Sequence, residues 1–95
     1  MRNITQEAII AFNSNTKFSK DNTVIEVAGE LTKMFLFGNL IAEKSKDGLF
    51  ITNAGWATNT TKERLNAIPG VSIYQKKRTW YLNGKEWDGK RIKIK

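Results

Sequence analysis

The chain of 95 residues contains no cysteine and no histidine. The first absence excludes a disulfide, a thiolate nucleophile and any cysteine-ligated metal. The second removes the commonest metal ligand and the commonest general base near neutral pH. There is a single proline, and there is no low-complexity tract or repeat. No apolar run approaches the roughly 20 residues that cross a bilayer as a helix. The opening Met-Arg-Asn-Ile-Thr-Gln-Glu has no basic region followed by an apolar one, so no secretory signal is read there. These absences predict a cytoplasmic protein with no membrane partner, no metal, no cofactor and no catalytic residues: a binder rather than an enzyme.

What is present fits one globular domain over residues 1–95, with a modest core. Hydrophobic residues make up 40% and charged residues 26% of the chain. The net charge is +7 and lies unevenly. Residues 1–70 hold eight Lys/Arg against seven Asp/Glu, whereas residues 71–95 hold eight against two. The same last quarter holds Tyr74, Trp80, Tyr81 and Trp87. Cations interleaved with aromatics suit phosphates and bases.

Read in order, the chain begins with a helix capped by Asn3 or Thr5 and running to about Asn13. Ile4, Ala8, Ala11 and Phe12 form its apolar stripe. Glu7 is placed in its first turn, where a negative charge suits the dipole. Lys17–Asn22 reads as loop, with Phe18 tucked onto the core. Strand periodicity begins at Thr23 and gives Thr23–Ala28, Leu31–Phe37, Leu40–Lys44 and Leu49–Asn53. Gly38-Asn39 and Asp47-Gly48 are the hairpin turns between the later pairs. Each connection is too short for a parallel crossover. Val71–Gln75 and Thr79–Leu82 follow, with Asn83-Gly84 as the strongest hairpin signal and Asp88-Gly89 as a further turn. Arg91–Lys95 alternates, so inward Ile92 and Ile94 would leave its cations on one outer face. The expected class is α+β: a mainly antiparallel sheet, a meander of hairpins, with two short helices packed on one face.

Asn53–Asn66 is the corner between sheet and second helix. Thr60, followed three residues later by Glu63, has the spacing of a capping box. The helix is expected over about Thr61–Ile68, stopped by Pro69-Gly70. Gly55 is free to take an angle that other residues avoid. Trp56 can be a stacking platform or a filler between sheet and helix, and the filler reading is preferred.

Three stretches then carry a resemblance. They are Gly38-Asn39-Leu40-Ile41-Ala42, the corner Asn53-Ala54-Gly55-Trp56-x-Thr58-x-Thr60-Thr61-x-Glu63-Arg64-Leu65-Asn66, and Trp80-Tyr81-Leu82-Asn83-Gly84-x-x-Trp87-Asp88-Gly89. Over roughly residues 31–89 the chain resembles an uncharacterised group of small bacteriophage-encoded proteins. The resemblance implies a phage origin and the host cytoplasm as its place of action. It implies no catalytic residues.

The candidate contact surface is the basic aromatic segment: Lys76, Lys77, Arg78, Trp80, Lys85, Trp87, Lys90, Arg91 and Lys93, with Lys95 at its end. Tyr74, Trp80 or Trp87 would stack on bases while the cations meet phosphates. The opposing reading is that edge lysines prevent strand pairing and that hairpin aromatics are core pairs. Thr58, Asn59, Thr60 and Thr61, at a helix N-terminus, are a second candidate, for a small anion or nucleotide, against ordinary capping. Glu26, Glu30, Glu43, Asp47, Glu63, Glu86 and Asp88 are spread along the chain and read as solvated charge, against a carboxylate pair for hydrolysis or a metal site. The expected partner is nucleic acid or a nucleic-acid-bound complex. The alternative is a host protein complex inhibited by direct docking. Monomer and homodimer both remain open.

Overall fold

A computed structural model of the chain describes residues 3–95. The first helix, α1 (Asn3–Asn13), buries Thr5, Ala8, Ala11 and Phe12 on one side. The position ahead of Asn3 that would cap it lies outside the described residues. Thr5 is no cap: it sits inside the helix and bonds other side chains. Glu7 falls past the first turn and pairs with Lys20 at 3.0 Å. Asn15, at φ 55°, ends the helix in a left-handed step, and Thr16 N–H closes back on the Ala11 carbonyl at 2.9 Å. Lys44 also caps this end, donating to the Phe12 and Asn13 carbonyls at 2.6 and 3.2 Å. Burial lowers the Lys44 pKa from its ordinary value.

Six strands then form one antiparallel sheet. They are β1 (Phe18–Lys20), β2 (Thr23–Ala28), β3 (Leu31–Leu36), β4 (Asn39–Ser45), β5 (Gly48–Ile51) and, from the far end of the chain, β9 (Ile92–Lys93). The spatial order is β1-β2-β3-β4-β5-β9. The expected loop at Lys17–Asn22 thus contains a strand, too short and polar to show a period. Phe18 packs half-buried against the core, as expected. The inner face is built by period-two alternation: Thr23 and Ile25 oppose Leu36 and Met34. A bulge opposite Met34–Phe35 lets Ile41 and Ala42, consecutive in β4, both be buried. The outer face holds half-buried Val24, Phe35, Leu40 and Phe50 among charges.

The remaining strands depart from the expected single sheet. β6 (Ile73–Lys76), β7 (Thr79–Leu82) and β8 (Lys85–Glu86) pair only with one another, in a second, three-stranded antiparallel sheet. Between the sheets lies α2 (Asn59–Asn66). One continuous core joins Phe12 of α1, Leu65 of α2, Ile25, Met34 and Ile51 of the large sheet, and Ile73, Trp80 and Leu82 of the small one. The class is α+β and mainly antiparallel, with the two helices on the sheet's inner side.

Two turns sit one residue earlier than their sequence signals. The β3–β4 turn is Phe37-Gly38, not Gly38-Asn39, and the β4–β5 turn is Lys46-Asp47, not Asp47-Gly48. In both cases the polar or glycine residue begins the next strand. Phe37, expected in the strand, stands at the turn with φ 51° and is 70% exposed.

Candidate functional site

The corner is fixed from outside. Asn53 N–H and the Thr52 hydroxyl both donate to the Gly89 carbonyl, at 3.0 and 2.7 Å. A side chain at Gly89 would strike the Asn53 amide, so only glycine permits this approach. Ala54 and Gly55 follow at positive φ, 54° and 84°. These two left-handed steps carry Trp56 out to solvent, where it is 58% exposed. The expectation that Trp56 fills the core is therefore corrected.

The helix cap is also displaced. Thr58, not Thr60, is the N-cap of α2: its hydroxyl accepts from Thr61 N–H at 3.2 Å and shares a 2.9 Å hydrogen bond with the Thr61 hydroxyl. Glu63 makes no capping box. Its carboxylate is taken by Arg64 at 2.8 Å and by the Thr5 hydroxyl of α1. Of the Thr58–Thr61 set, Thr61 is buried, Thr60 half-buried, and Thr58 and Asn59 exposed. The two outer threonines close the cap on each other, which is ordinary helix capping.

The basic segment divides. Trp80 and Trp87 are core residues, 5% and 8% exposed, their rings 6.1 Å apart and tilted at 40°. Trp87 Nε1 donates to the Lys90 carbonyl at 2.9 Å, and the Lys62 ammonium lies 5.8 Å from the Trp80 ring centre. Neither indole is available for stacking on a base. Their alternation partners face outward instead: Tyr74, 48% exposed, stacks on Tyr81 at 5.1 Å and 8°. Lys76 and Thr79 lie on that same face by strand register. Period-two reading of Val71, Ile73, Trp80 and Leu82 as one inward set would have singled out Tyr74, already a stacking candidate, and added Tyr81 in place of the tryptophans.

Lys77 and Arg78 form the tip of the β6–β7 hairpin, both exposed and both at positive φ, 51° and 68°. Lys85 is exposed on β8. Lys90 stands 3.9 Å from Asp88. Arg91 bonds Glu43 at 2.8 Å and lies 4.3 Å from the Phe50 ring centre, on the outer face of the large sheet. Lys93 opposes Phe50 on that face. So Arg91 and Lys93 belong to one sheet and Lys76, Lys77 and Arg78 to the other. Among the described residues the expected set of hairpin cations is two groups, not one strip. Ile94 packs against the core as expected, but Ile92 is 40% exposed.

Sequence reasoning missed a cleft. The exposed Phe37 and Trp56 and the buried Leu36 and Ile41 line it, with Asn39 and Thr58 among its polar lining, around about 390 Å³.

The family model described as Kyanoviridae Gp96 protein matches residues 1–93 of the chain. The chain belongs to this family. Gp96 membership makes it one of a set of small phage-encoded proteins. The match includes α1 and both sheets, a wider span than residues 31–89. No curated protein and no solved structure matches the chain. Among the described residues of this Gp96 family member, no helix is long and apolar enough to cross a membrane.

Proposed function

We propose that this Gp96 family member is a non-enzymatic binder of nucleic acid, or of a nucleic-acid-bound complex, acting in the host cytoplasm. The β6–β7 hairpin is its contact surface. The observation that carries this reading is the turn at the tip. Both central positions have positive φ, the pattern of a type I′ turn, which Asn-Gly satisfies with least strain. The next hairpin uses that pair, at Asn83-Gly84. The tip instead carries Lys77 and Arg78. Strained residues of this kind cluster at functional sites, which supports a role for these two side chains. The stacked Tyr74–Tyr81 pair beside Lys76 supplies aromatic faces next to the charge.

Binding measured by fluorescence anisotropy is expected to weaken steeply with salt, because each phosphate contact releases counterions. Reversing Lys76, Lys77 and Arg78 to Glu is expected to remove most of the affinity and to reduce the log–log salt slope by about 2–3. A slope near zero for the natural chain would overturn the proposal.

A second reading, inhibition of a host protein by docking, is favoured by the exposed Phe37 and Trp56, since aromatic anchors dominate protein interfaces. Capture from host lysate separates the two. A partner retained after nuclease treatment supports docking, and one lost with the nucleic acid supports the first reading.

A further inference from the structure

The position of the cationic tip relative to the cleft follows from three hydrogen bonds. Ile73 N–H donates to Asn66 Oδ1 at 2.6 Å, and Asn66 Nδ2 donates to the Ile73 carbonyl at 2.9 Å. Lys62 Nζ donates to Gln75 Oε1 at 2.9 Å. β6 therefore runs back along α2, from its C-terminal end towards its start. Lys76 is the next strand residue after Gln75, about 3 Å further, and Lys77 opens the turn beyond it. Thr58 lies four helical residues before Lys62, about 6 Å in the same direction. The tip thus lies towards the Thr58 end of α2, and Thr58 is among the residues that line the cleft with Phe37 and Trp56.

From this juxtaposition, and resting on the nucleic-acid reading above, we infer that the ligand is a single strand. One unpaired base enters the Phe37–Trp56 cleft while the neighbouring phosphates lie on Lys76, Lys77 and Arg78. The cleft has room for a base: its volume falls at the lower end of the roughly 300–1,000 Å³ of small-ligand pockets. Two aromatic rings and two aliphatic side chains in its lining suit a flat ring. The Asn39 amide, whose nitrogen also donates to the Phe37 carbonyl at 3.3 Å, offers a carbonyl oxygen and a second N–H for its edge. A base inside a duplex is stacked and paired, and it cannot enter a recess without being flipped out. Phe37 itself sits at φ 51° in a turn that Asn would relax, so the aromatic is held where its ring forms a wall. The adjoining cations favour a polyanion over an apolar peptide.

The test uses the full chain and its own fluorescence. Trp80 and Trp87 are buried and Trp56 is exposed, so a ligand in the cleft acts on the Trp56 signal. A thymidine homopolymer of about a dozen nucleotides, long enough to span one such surface, is expected to quench the emission. A duplex of the same length is expected to bind more weakly and without quenching. Trp56→Ala and, separately, Phe37→Asn are expected to weaken single-strand binding about tenfold, the scale of one lost base stack. Phe37→Asn relaxes its turn, so its loss of binding is not a loss of folding. Equal, salt-dependent binding of duplex and single strand with no change at Trp56 would overturn this inference and leave the nucleic-acid reading standing. Absence of any nucleic-acid binding would overturn both. Quenching by an aromatic peptide but not by the oligonucleotide would assign the cleft to protein docking and would likewise overturn it.

Discussion

Arg64 takes a full charge into the interior and finds an acceptor on every side. Its guanidinium donates to Thr23 at 3.1 Å, Thr5 at 2.5 Å, Glu63 at 2.8 Å and Asn22 at 3.4 Å. Those partners belong to α1, β2, the turn before β2 and α2 itself, so one side chain ties both helices to the large sheet. Nothing near Arg64 in sequence announces this, because Thr5 is 59 positions away. The same distance effect explains the failed capping box: Glu63 had the right spacing, but Arg64 and Thr5 claimed its carboxylate. Arg64→Ala is expected to lower the unfolding free energy by about 3 kcal/mol, as for a broken buried pair. Urea denaturation measures it, and Arg64→Lys recovers only part, since an ammonium cannot reproduce the planar fork. A midpoint unchanged by Arg64→Ala would show that the network holds nothing together. The tryptophans were misread at this same scale. Composition says that an indole is present, and only strand phase says which way it points. Trp80 shares the phase of Leu82, whereas two left-handed residues turn Trp56 outward.

Among the elements, those with a sustained period were legible. α1 runs over Asn3–Asn13 as its apolar stripe predicts, β2 runs over Thr23–Ala28, and Asn83-Gly84 is a turn. The β3–β4 turn slipped by one residue because Phe37 occupies a left-handed position where local rules expect glycine or asparagine; the β4–β5 turn has no left-handed residue at Lys46 or Asp47, and Gly48 begins β5 instead. Phe37, Lys77 and Arg78 all break that rule. A local rule broken without a packing reward marks a candidate site, and this sign lies in the backbone angle, which the sequence does not print. The hairpin tip then gives a prediction of its own. The double change Lys77→Asn, Arg78→Gly is expected to raise stability by about 1–2 kcal/mol, by relieving two left-handed residues. It is also expected to lose most of the salt-dependent affinity. Thermal unfolding and anisotropy titration read the two quantities separately. A change that leaves affinity intact would remove the tip from the contact surface.

At the scale of the molecule, α+β class and antiparallel pairing followed from short connections, but the division into two sheets did not. That division depends on which strands meet after α2 turns the chain, and no local pattern records it. The last strand shows the same limit. β9 returns to the edge of β5, where Leu49 N–H donates to the Lys95 carbonyl and Ile94 N–H to the Leu49 carbonyl, both at 2.7 Å. Removing Ile92–Lys95 bares that edge beside buried Leu49 and Ile51. The shortened chain is expected to lose stability and to self-associate through the exposed strand, seen as concentration-dependent light scattering. A monodisperse product of unchanged stability would show that β9 guards nothing.

Among the described residues no backbone ladder joins β6–β8 to the six-stranded sheet; the two meet through packed side chains and a few tethers from α2 and the corner. Mutations at the hairpin tip therefore leave the large sheet's pairing untouched. Over generations of phage and host, the small sheet can change its outward side chains while the large sheet goes on folding as before.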